Sequence, residues 1–346
     1  MNFFNFFNEL IKNPILLIAA ILIIFTIIMN GAIDAPNAIA TSVSTRALYI
    51  NNAFYISTIG NFLGVLVVSL INARVAHTIF NMVDFTSKGF LGNRALVAAL
   101  LGIILWGIIT WKFNIPTSSS HSLVAGLCGA SIALNGGMKG INTFGILMVF
   151  YGIIISIVVA YFLGSFIVKI IKNIFKKRDR RDSKRFFDRG QIVSATLMSF
   201  IHGAQDGQKF IAIFMILTTL MGHNPENEKI LPLWILIISA IAMGIGTSIG
   251  IKRVIKSIGM DVVSLETYEG FSADITSFIS ILIATILGIP LSTTQTSTTS
   301  IMGVGATKRK SNVNWAYAKY LSVTWFLTFP ICGLLCYLLT KLFMLF

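Results

Sequence analysis

Two aspartates stand where an apolar chain accommodates them least easily. Asp34 lies in NGAIDAPN (30–37) and Asp206 in HGAQDGQK (202–209), each within a long, otherwise apolar stretch. A carboxylate in a membrane segment costs about 2.5–3.5 kcal/mol on insertion scales and usually marks function. Gly31 and Pro36 flank the first, Gly203 and Gly207 the second, so a break in the helix is expected at each. Broken backbone at membrane depth is tolerated only where it lines protein or water. It also frees carbonyl oxygens, which together with a carboxylate suit a hard cation. Asp34 and Asp206 are therefore the candidate metal ligands, and the candidate sites for a coupling cation, Na⁺ or H⁺. The competing reading is structural pairing, for instance of Asp206 with Lys209.

Two further motifs have the opposite polarity. PTSSSH (116–121) and PLSTTQ (290–295) each place proline ahead of hydroxyl residues and then glycine and alanine, the pattern of a helix start. Helix starts carry unpaired N–H groups and positive partial charge, and so bind anions. Ser118, Ser119, Ser120, Ser292, Thr293 and Thr294 add neutral donors, which suit an anion that must also leave. Asn37 and Lys209, each three residues past its aspartate, complete the candidate substrate-binding set. Packing between helices, where Ser, Thr and Gly are common, is the alternative for the hydroxyls.

The elements holding these residues repeat. Gly31, Ala32 and Asp34 fall on Gly203, Ala204 and Asp206, and Pro116 to His121 fall on Pro290 to Gln295. Asp34 to Ser118 spans 84 positions and Asp206 to Ser292 spans 86. Matched motifs at matched spacing predict a duplication: residues 1–171 as a first half, 172–189 as a basic linker, 190–346 as a second half. The composition says where the halves reside. Of 346 residues 55% are hydrophobic and only 12% charged, against about 25% charged in a soluble domain. Segment 143–171 carries one charge, Lys169, and similar runs recur along the chain, each near the roughly 20 residues a membrane helix requires. The expected fold is all-α, a polytopic transmembrane bundle of two inverted repeats with interrupted helices or re-entrant hairpins, in the cell membrane.

The net charge of +14 does not point to nucleic acid. Nine Lys and Arg fall within 172–189, the signature of a cytoplasmic loop. Placing it inside puts 307–314 and 252–256 inside as well, and leaves 136–142 and 222–230 outside. That arrangement requires an odd number of crossings per half, five or three depending on whether 95–135 crosses twice or folds back. Cys128, Cys332 and Cys336 show no metal-ligand spacing, no nucleotide loop of the Walker type occurs, and nothing forms a nucleophile–base pair, so an enzyme is not expected.

Five ordered motifs carry a resemblance: GAIDAPNAIATSVSTRAL, PTSSSHSLVAGLCGA, HGAQDGQK, GFSAD at 270–274, and GIPLSTTQTSTTSIMGVGATKRK. From about Ile28 to Ala318 the chain resembles the inorganic phosphate transporter (PiT) family of sodium- or proton-coupled carriers. The resemblance implies an inverted-repeat dimer binding oxyanion and cations between its halves, with no resident cofactor. It also implies functional roles for Asp34, Asn37, Asp206, Ser118, Ser119, Ser292 and Thr293. Three positions depart: Ile33 and Gln205 stand where the family usually has Asn, and Gln295 where it has His. The family includes sulfate permeases. Phosphate symport is the favoured expectation, with sulfate permeation or a passive anion channel as alternatives. Moving a divalent anion into an inside-negative cell costs about 2.3 kcal/mol per charge per 100 mV, so two cations, one per aspartate, are expected to accompany it. Neutralising either aspartate is expected to abolish uptake and leave the protein folded.

Overall fold

A backbone in lipid must satisfy its polar groups internally, and the chain does so with helices throughout. The computed structural model describes residues 2–223, 231–261 and 263–345, the side chains of 251–261 excepted. The loop 224–230 and the basic side chains of 252–256 lie outside the described residues. In chain order the helices are α1 (Phe3–Lys12), α2 (Pro14–Ile33), α3 (Ala40–Ser44), α4 (Ile50–Ile71), α5 (Arg74–Phe80), α6 (Phe90–Lys112) and α7 (Ser119–Asn135). They continue with α8 (Thr143–Phe175), α9 (Arg180–Leu220), α10 (Leu233–Asp261), α11 (Thr267–Leu287), α12 (Thr293–Ala306) and α13 (Trp315–Phe343). Seven spans are long and apolar enough to cross a membrane, the first of them running from Pro14 to Ser44 through α2 and α3. Exposed Phe162, Phe166, Phe326 and Leu334 on α8 and α13 form the kind of outer surface that only lipid or a partner covers. The protein is a multi-pass membrane protein.

The packing recurs in pairs. Helix α4 lies on α9 as α10 lies on α2; α7 lies on α13 as α12 lies on α8. In the same way α6 meets α13 and α7, while α11 meets α8 and α12. In each of the first two pairings a helix from one half is matched with a helix from the other.

Helices α6 and α7 form a hairpin, as do α11 and α12. An isolated β-bridge, Val83 to Ile141, closes the base of the first, and Val263 to Val313 closes the second. The two bases lie at opposite ends of α9. Phe187 near its start touches Tyr268 and Phe271, whereas Leu220 at its finish lies beside Gly92. The hairpins thus enter from opposite ends, and their tips meet where Ser118 Oγ is 2.9 Å from Ser292 Oγ. Ser120 and Thr293 there touch Lys209 and Asp206. At 1.5 Å per residue, Asp206 is about 28 Å from Phe187 and about 21 Å from Leu220, so the tips reach the middle of the bundle. Re-entrant hairpins leave three crossings in each half.

The expected break occurs at Asp34 and not at Asp206. Helix α2 stops at Ile33, Ala35–Ile39 forms a 3₁₀ turn, and α3 resumes at Ala40. Pro36 accounts for this, since it removes an N–H and disfavours helix at the residue before it. Helix α9, in contrast, runs unbroken for 41 residues through Asp206. Its glycines serve packing. A Cβ on Gly203 would sit 2.3 Å from Asn61 O, and one on Gly207 would sit 2.5 Å from Val65 Cγ2, both on α4. Gly60 and Gly64 of α4 face α9 in return. Small residues four apart on both helices permit this close backbone approach. The basic segment 172–189 is helical at both ends and turns only over 176–179.

Candidate functional site

The ten residues singled out by type and spacing converge on the hairpin tips, in two clusters with a bridge between them. In the first, Asp34 Oδ2 accepts from Ser119 N and Asn30 Nδ2, both at 3.3 Å, and Oδ1 accepts from Thr294 Oγ1 at 3.2 Å. Asn37 Nδ2 donates to the same Thr294 hydroxyl at 3.0 Å. In the second, Asp206 Oδ1 accepts from Lys209 Nζ at 2.6 Å, and Thr293 Oγ1 lies 3.2–3.3 Å from both carboxylate oxygens. Lys209 Nζ also donates to Ser120 Oγ at 2.6 Å and to Leu291 O at 2.7 Å. The Ser118–Ser292 contact joins the clusters.

Local sequence explains this convergence. Ser118 and Ser292 have extended backbone and stand at the N-cap positions of α7 and α12. Each is preceded two residues earlier by proline, which suits the end of a hairpin and the start of a helix. The first turns of α7 and α12 hold N–H groups without intrahelical partners. Ser119 N is spent on Asp34, and Gln295 N on the Ser292 cap. Both helix starts therefore aim positive partial charge at one another across a few ångströms, beside two carboxylates. All but Ser119 of the ten side chains are buried.

The two aspartates differ in what surrounds them. Near Asp34, the amide oxygens of Asn30 and Asn37 are buried without a hydrogen-bond partner. Buried polar groups are nearly always satisfied, so these two unpaired oxygens are acceptors that a hard cation at Asp34 could use. Near Asp206 the place is taken by nitrogen. The Lys209 ammonium is 2% exposed and pairs with a carboxylate that is 0% exposed. His202 Nε2 stands 3.5 Å from Asp206 Oδ2, with Nδ1 2.8 Å from Asn61 Oδ1.

Of the three positions that depart from the family pattern, Gln205 takes structural contacts, while Gln295 Oε1 is buried without a hydrogen-bond partner. Gln205 Nε2 donates to Ile289 O and its Oε1 accepts from Thr285 Oγ1, bracing the second hairpin. His121, the last residue of PTSSSH, turns toward α13: its Nδ1 is 3.2 Å from Trp325 O and its ring lies 4.5 Å from Phe329.

Two polar features escaped sequence reasoning. Asn30 stands in a quoted motif, but its register with Asp34, one helical turn away, shows only once α2 is known to continue to Ile33. Asp274 of α11 is a third buried carboxylate, accepting from Thr41 Oγ1, Ser42 Oγ and Ser194 Oγ. The cost that singled out Asp34 applies equally to Asp274. It was masked by the polar composition of GFSADITS, which obscures how deeply the residue lies.

The family model described as "Phosphate transporter family" matches residues 30–336. A protein of Bacillus subtilis described as a probable low-affinity inorganic phosphate transporter is 38% identical over 326 residues, covering 93% of this chain and 96% of that one. A protein of Rhizobium meliloti with the same description is 36% identical, covering 94% and 96%. Among solved structures, one titled "The sodium-dependent phosphate transporter" superposes with a TM-score of 0.84 at 22% identity, over 96% of this chain and 99% of that one. That likeness bears on the fold.

Proposed function

The chain belongs to the phosphate transporter family, and from that premise we propose that it imports inorganic phosphate by symport with Na⁺ through the site between its hairpin tips. One observation carries the reading: the donors that would hold the anion are the donors that hold Asp34. Ser119 N–H and Thr294 Oγ–H both point at its carboxylate. A cation bound by Asp34, Asn30 Oδ1 and Asn37 Oδ1 neutralises that carboxylate and releases both donors. They then turn to phosphate, alongside Ser118, Ser120, Ser292 and Thr293 and the two helix starts. Without the cation, the anion meets a carboxylate that has already claimed the donors. Coupling follows from this shared set, because neither solute binds well alone.

An all-oxygen cradle favours Na⁺ over H⁺, since a hard cation takes several oxygen ligands whereas a proton needs one. Neutral donors hold phosphate reversibly, and Lys209 supplies positive charge at the rear of the site without clamping the anion directly. The cargo ions supply the chemistry, with no bond made or broken. The basic segment 172–189 orients the protein with that segment inside. The same reading includes the homodimer implied by the family resemblance, which mass measurement of the purified protein checks.

The test is purified protein in liposomes, with labelled phosphate and imposed Na⁺ or H⁺ gradients. Accumulation driven by the Na⁺ gradient is expected, suppressed by excess unlabelled phosphate. Accumulation driven by H⁺ alone would replace the ion and keep symport. Equilibration indifferent to both gradients would make the protein a passive anion pathway.

A further inference from the structure

Set 172 positions apart, the residues around the two aspartates are the same in one respect and opposite in another. Asn30, Asp34 and Asn37 of the first half correspond to His202, Asp206 and Lys209 of the second. The carboxylate is kept, and both neutral amide-oxygen residues are replaced by nitrogen bases. The structure places the replacements where the originals stand. Asn30 Nδ2 reaches Asp34 from one helical turn before it, at 3.3 Å, and His202 Nε2 reaches Asp206 from the same offset, at 3.5 Å. Asn37 meets the second-half tip at Thr294, and Lys209 meets the first-half tip at Ser120.

Resting on the symport reading above, we propose that the Lys209 ammonium is a resident cation occupying the second coupling site, so that each turnover carries one mobile Na⁺, at Asp34. The ligands of Lys209 support this. They are a carboxylate oxygen, a hydroxyl and a backbone carbonyl, at 2.6, 2.6 and 2.7 Å. That set of three oxygens, from α9 and both hairpin tips, is what a bound Na⁺ would use. An ammonium has three N–H donors, and all three are satisfied, so nothing remains for the anion to take from it. At Asp34 the opposite holds: two amide oxygens lack partners, and no fixed cation is present among the groups that contact it.

A tethered cation differs from a mobile one in two ways. It stays with the protein, so it neutralises Asp206 and keeps the hairpin tips together without contributing to the ions translocated. It also commits the second half to a charge that does not vary with external Na⁺. The chain then has one Na⁺ dependence where two aspartates suggest two. Making the second half resemble the first should reverse this, and Lys209→Asn is the substitution that does so at the equivalent position.

Two measurements decide. The first is binding, read as the thermal unfolding midpoint of purified protein in detergent as NaCl replaces choline chloride at constant ionic strength. The wild-type midpoint should rise with Na⁺, Asp34→Asn should abolish the rise, and Asp34→Asn/Lys209→Asn should regain it. The second is stoichiometry, read in proteoliposomes as the Na⁺ gradient that just balances an opposing gradient of labelled phosphate. One Na⁺ per phosphate is expected for the wild type, and two for Lys209→Asn. The proposal is overturned if wild type moves two Na⁺, or if Asp34→Asn keeps the full Na⁺-dependent rise with Lys209 in place. It is likewise overturned if the double variant, once folded, gains nothing from Na⁺. Should Lys209 variants fail to fold in any salt, the wild-type stoichiometry and the Asp34→Asn midpoint decide alone. Phosphate flux indifferent to Na⁺ is a different failure: it removes the symport reading, and this proposal with it.

Discussion

Asp34 and Asp206 occupy equivalent positions in a repeated motif, yet one ends a helix and the other lies within an unbroken helix of 41 residues. The difference starts from one residue. Pro36 has Gln208 as its counterpart, and without the proline ring nothing stops α9. Continuity has a consequence for chemistry. Lys209 lies one helical turn past Asp206 on an intact helix, where an i,i+3 pair faces the same side, and the two pair at 2.6 Å. Asn37, on a 3₁₀ turn after a break, has turned to Thr294 and left its oxygen free. Backbone interruption thus separates a carboxylate with unpaired amide oxygens near it from one that has closed on an ammonium. The motif around an intramembrane carboxylate tells where the site is, and the proline tells whether it opens.

The sharpest way to break this comparison is to neutralise each aspartate. Asp206→Asn leaves the Lys209 ammonium buried without its counter-charge. Removing one partner of a buried pair costs about 3–5 kcal/mol, so this variant should lose most of its folded protein, seen as a collapse of the monodisperse peak in size exclusion. Adding Lys209→Gln should restore much of it, because replacing both partners is far less costly than orphaning one. Here the structure revises the expectation from sequence that both neutralised variants would fold. An Asp206→Asn protein as stable as wild type would mean that the ion pair is not what holds the second cluster.

Asp34→Asn should be milder for the fold and severe for uptake. Its three donors are neutral: the amide oxygen still accepts from Ser119 N and Asn30 Nδ2, and the amide NH₂ donates to Thr294 Oγ1 in place of the lost acceptor. What disappears is the charge on the cation cradle. An uptake loss of about 100-fold, equivalent to roughly 2.7 kcal/mol of binding, is expected at equal protein level in the membrane. Near-normal Na⁺-driven uptake by this variant would shift the coupling site elsewhere, with Asp274 and its three hydroxyl partners the next place to look.

The glycines test the same contrast through packing. Gly31 and Gly203 are equivalent in sequence, and both touch another helix: a Cβ on Gly31 would lie 2.7 Å from Met243 O, and one on Gly203 2.3 Å from Asn61 O. Alanine at either forces a backbone-to-backbone contact to open. A loss of about 1–3 kcal/mol, in the range for overpacking, is expected, larger at Gly203 where the approach is closer. Thermal midpoints of the two variants check the order. Equal, negligible losses would return these glycines to the role of helix breakers.

Much of this arrangement is legible in the sequence. The membrane bundle, the duplication and the hairpin tips were readable because each leaves a local mark: apolar length, matched motifs, and proline before hydroxyls. Asp34, Asp206 and the six tip hydroxyls followed from the same marks. What stayed hidden depends on distance in space. Glycine reads alike whether it breaks a helix or lets another approach, and Gly203 and Gly207 did the second; the spacing of four that they share with Gly60 and Gly64 is the signal that separates the cases. Lys209 was open between pairing with Asp206 and touching the anion, since both acceptors lie within its reach. Asp274 was hidden because its partners, Thr41, Ser42 and Ser194, come from segments remote in sequence.

The smallest expected effect concerns the choice of anion, and it too turns on what the two aspartates leave free. Phosphate and sulfate share shape and nearly share size, but HPO₄²⁻ carries a proton that sulfate lacks. A phosphate site gains by offering that proton an acceptor, whereas a site of donors alone treats the two anions nearly alike. Around Asp206 the carboxylate is taken by Lys209 and Thr293, and His202 Nε2, buried without a hydrogen-bond partner, stands 3.5 Å from Asp206 Oδ2. Around Asp34 the carboxylate is to be masked by a cation, but Asn37 Oδ1 is buried, unpaired and adjacent to the start of α12. With a cation sharing it, one amide oxygen gives partial discrimination, short of the large factors seen where a buried polar group is left wholly unpaired. Excess unlabelled sulfate should therefore suppress phosphate uptake about tenfold less effectively than unlabelled phosphate, a difference of roughly 1.4 kcal/mol. Asn37→Ala should narrow that gap while weakening uptake. Sulfate competing as well as phosphate against the wild type would show that only donors face the anion. The asymmetry between the two aspartates would then govern the cation and have no part in choosing the oxyanion.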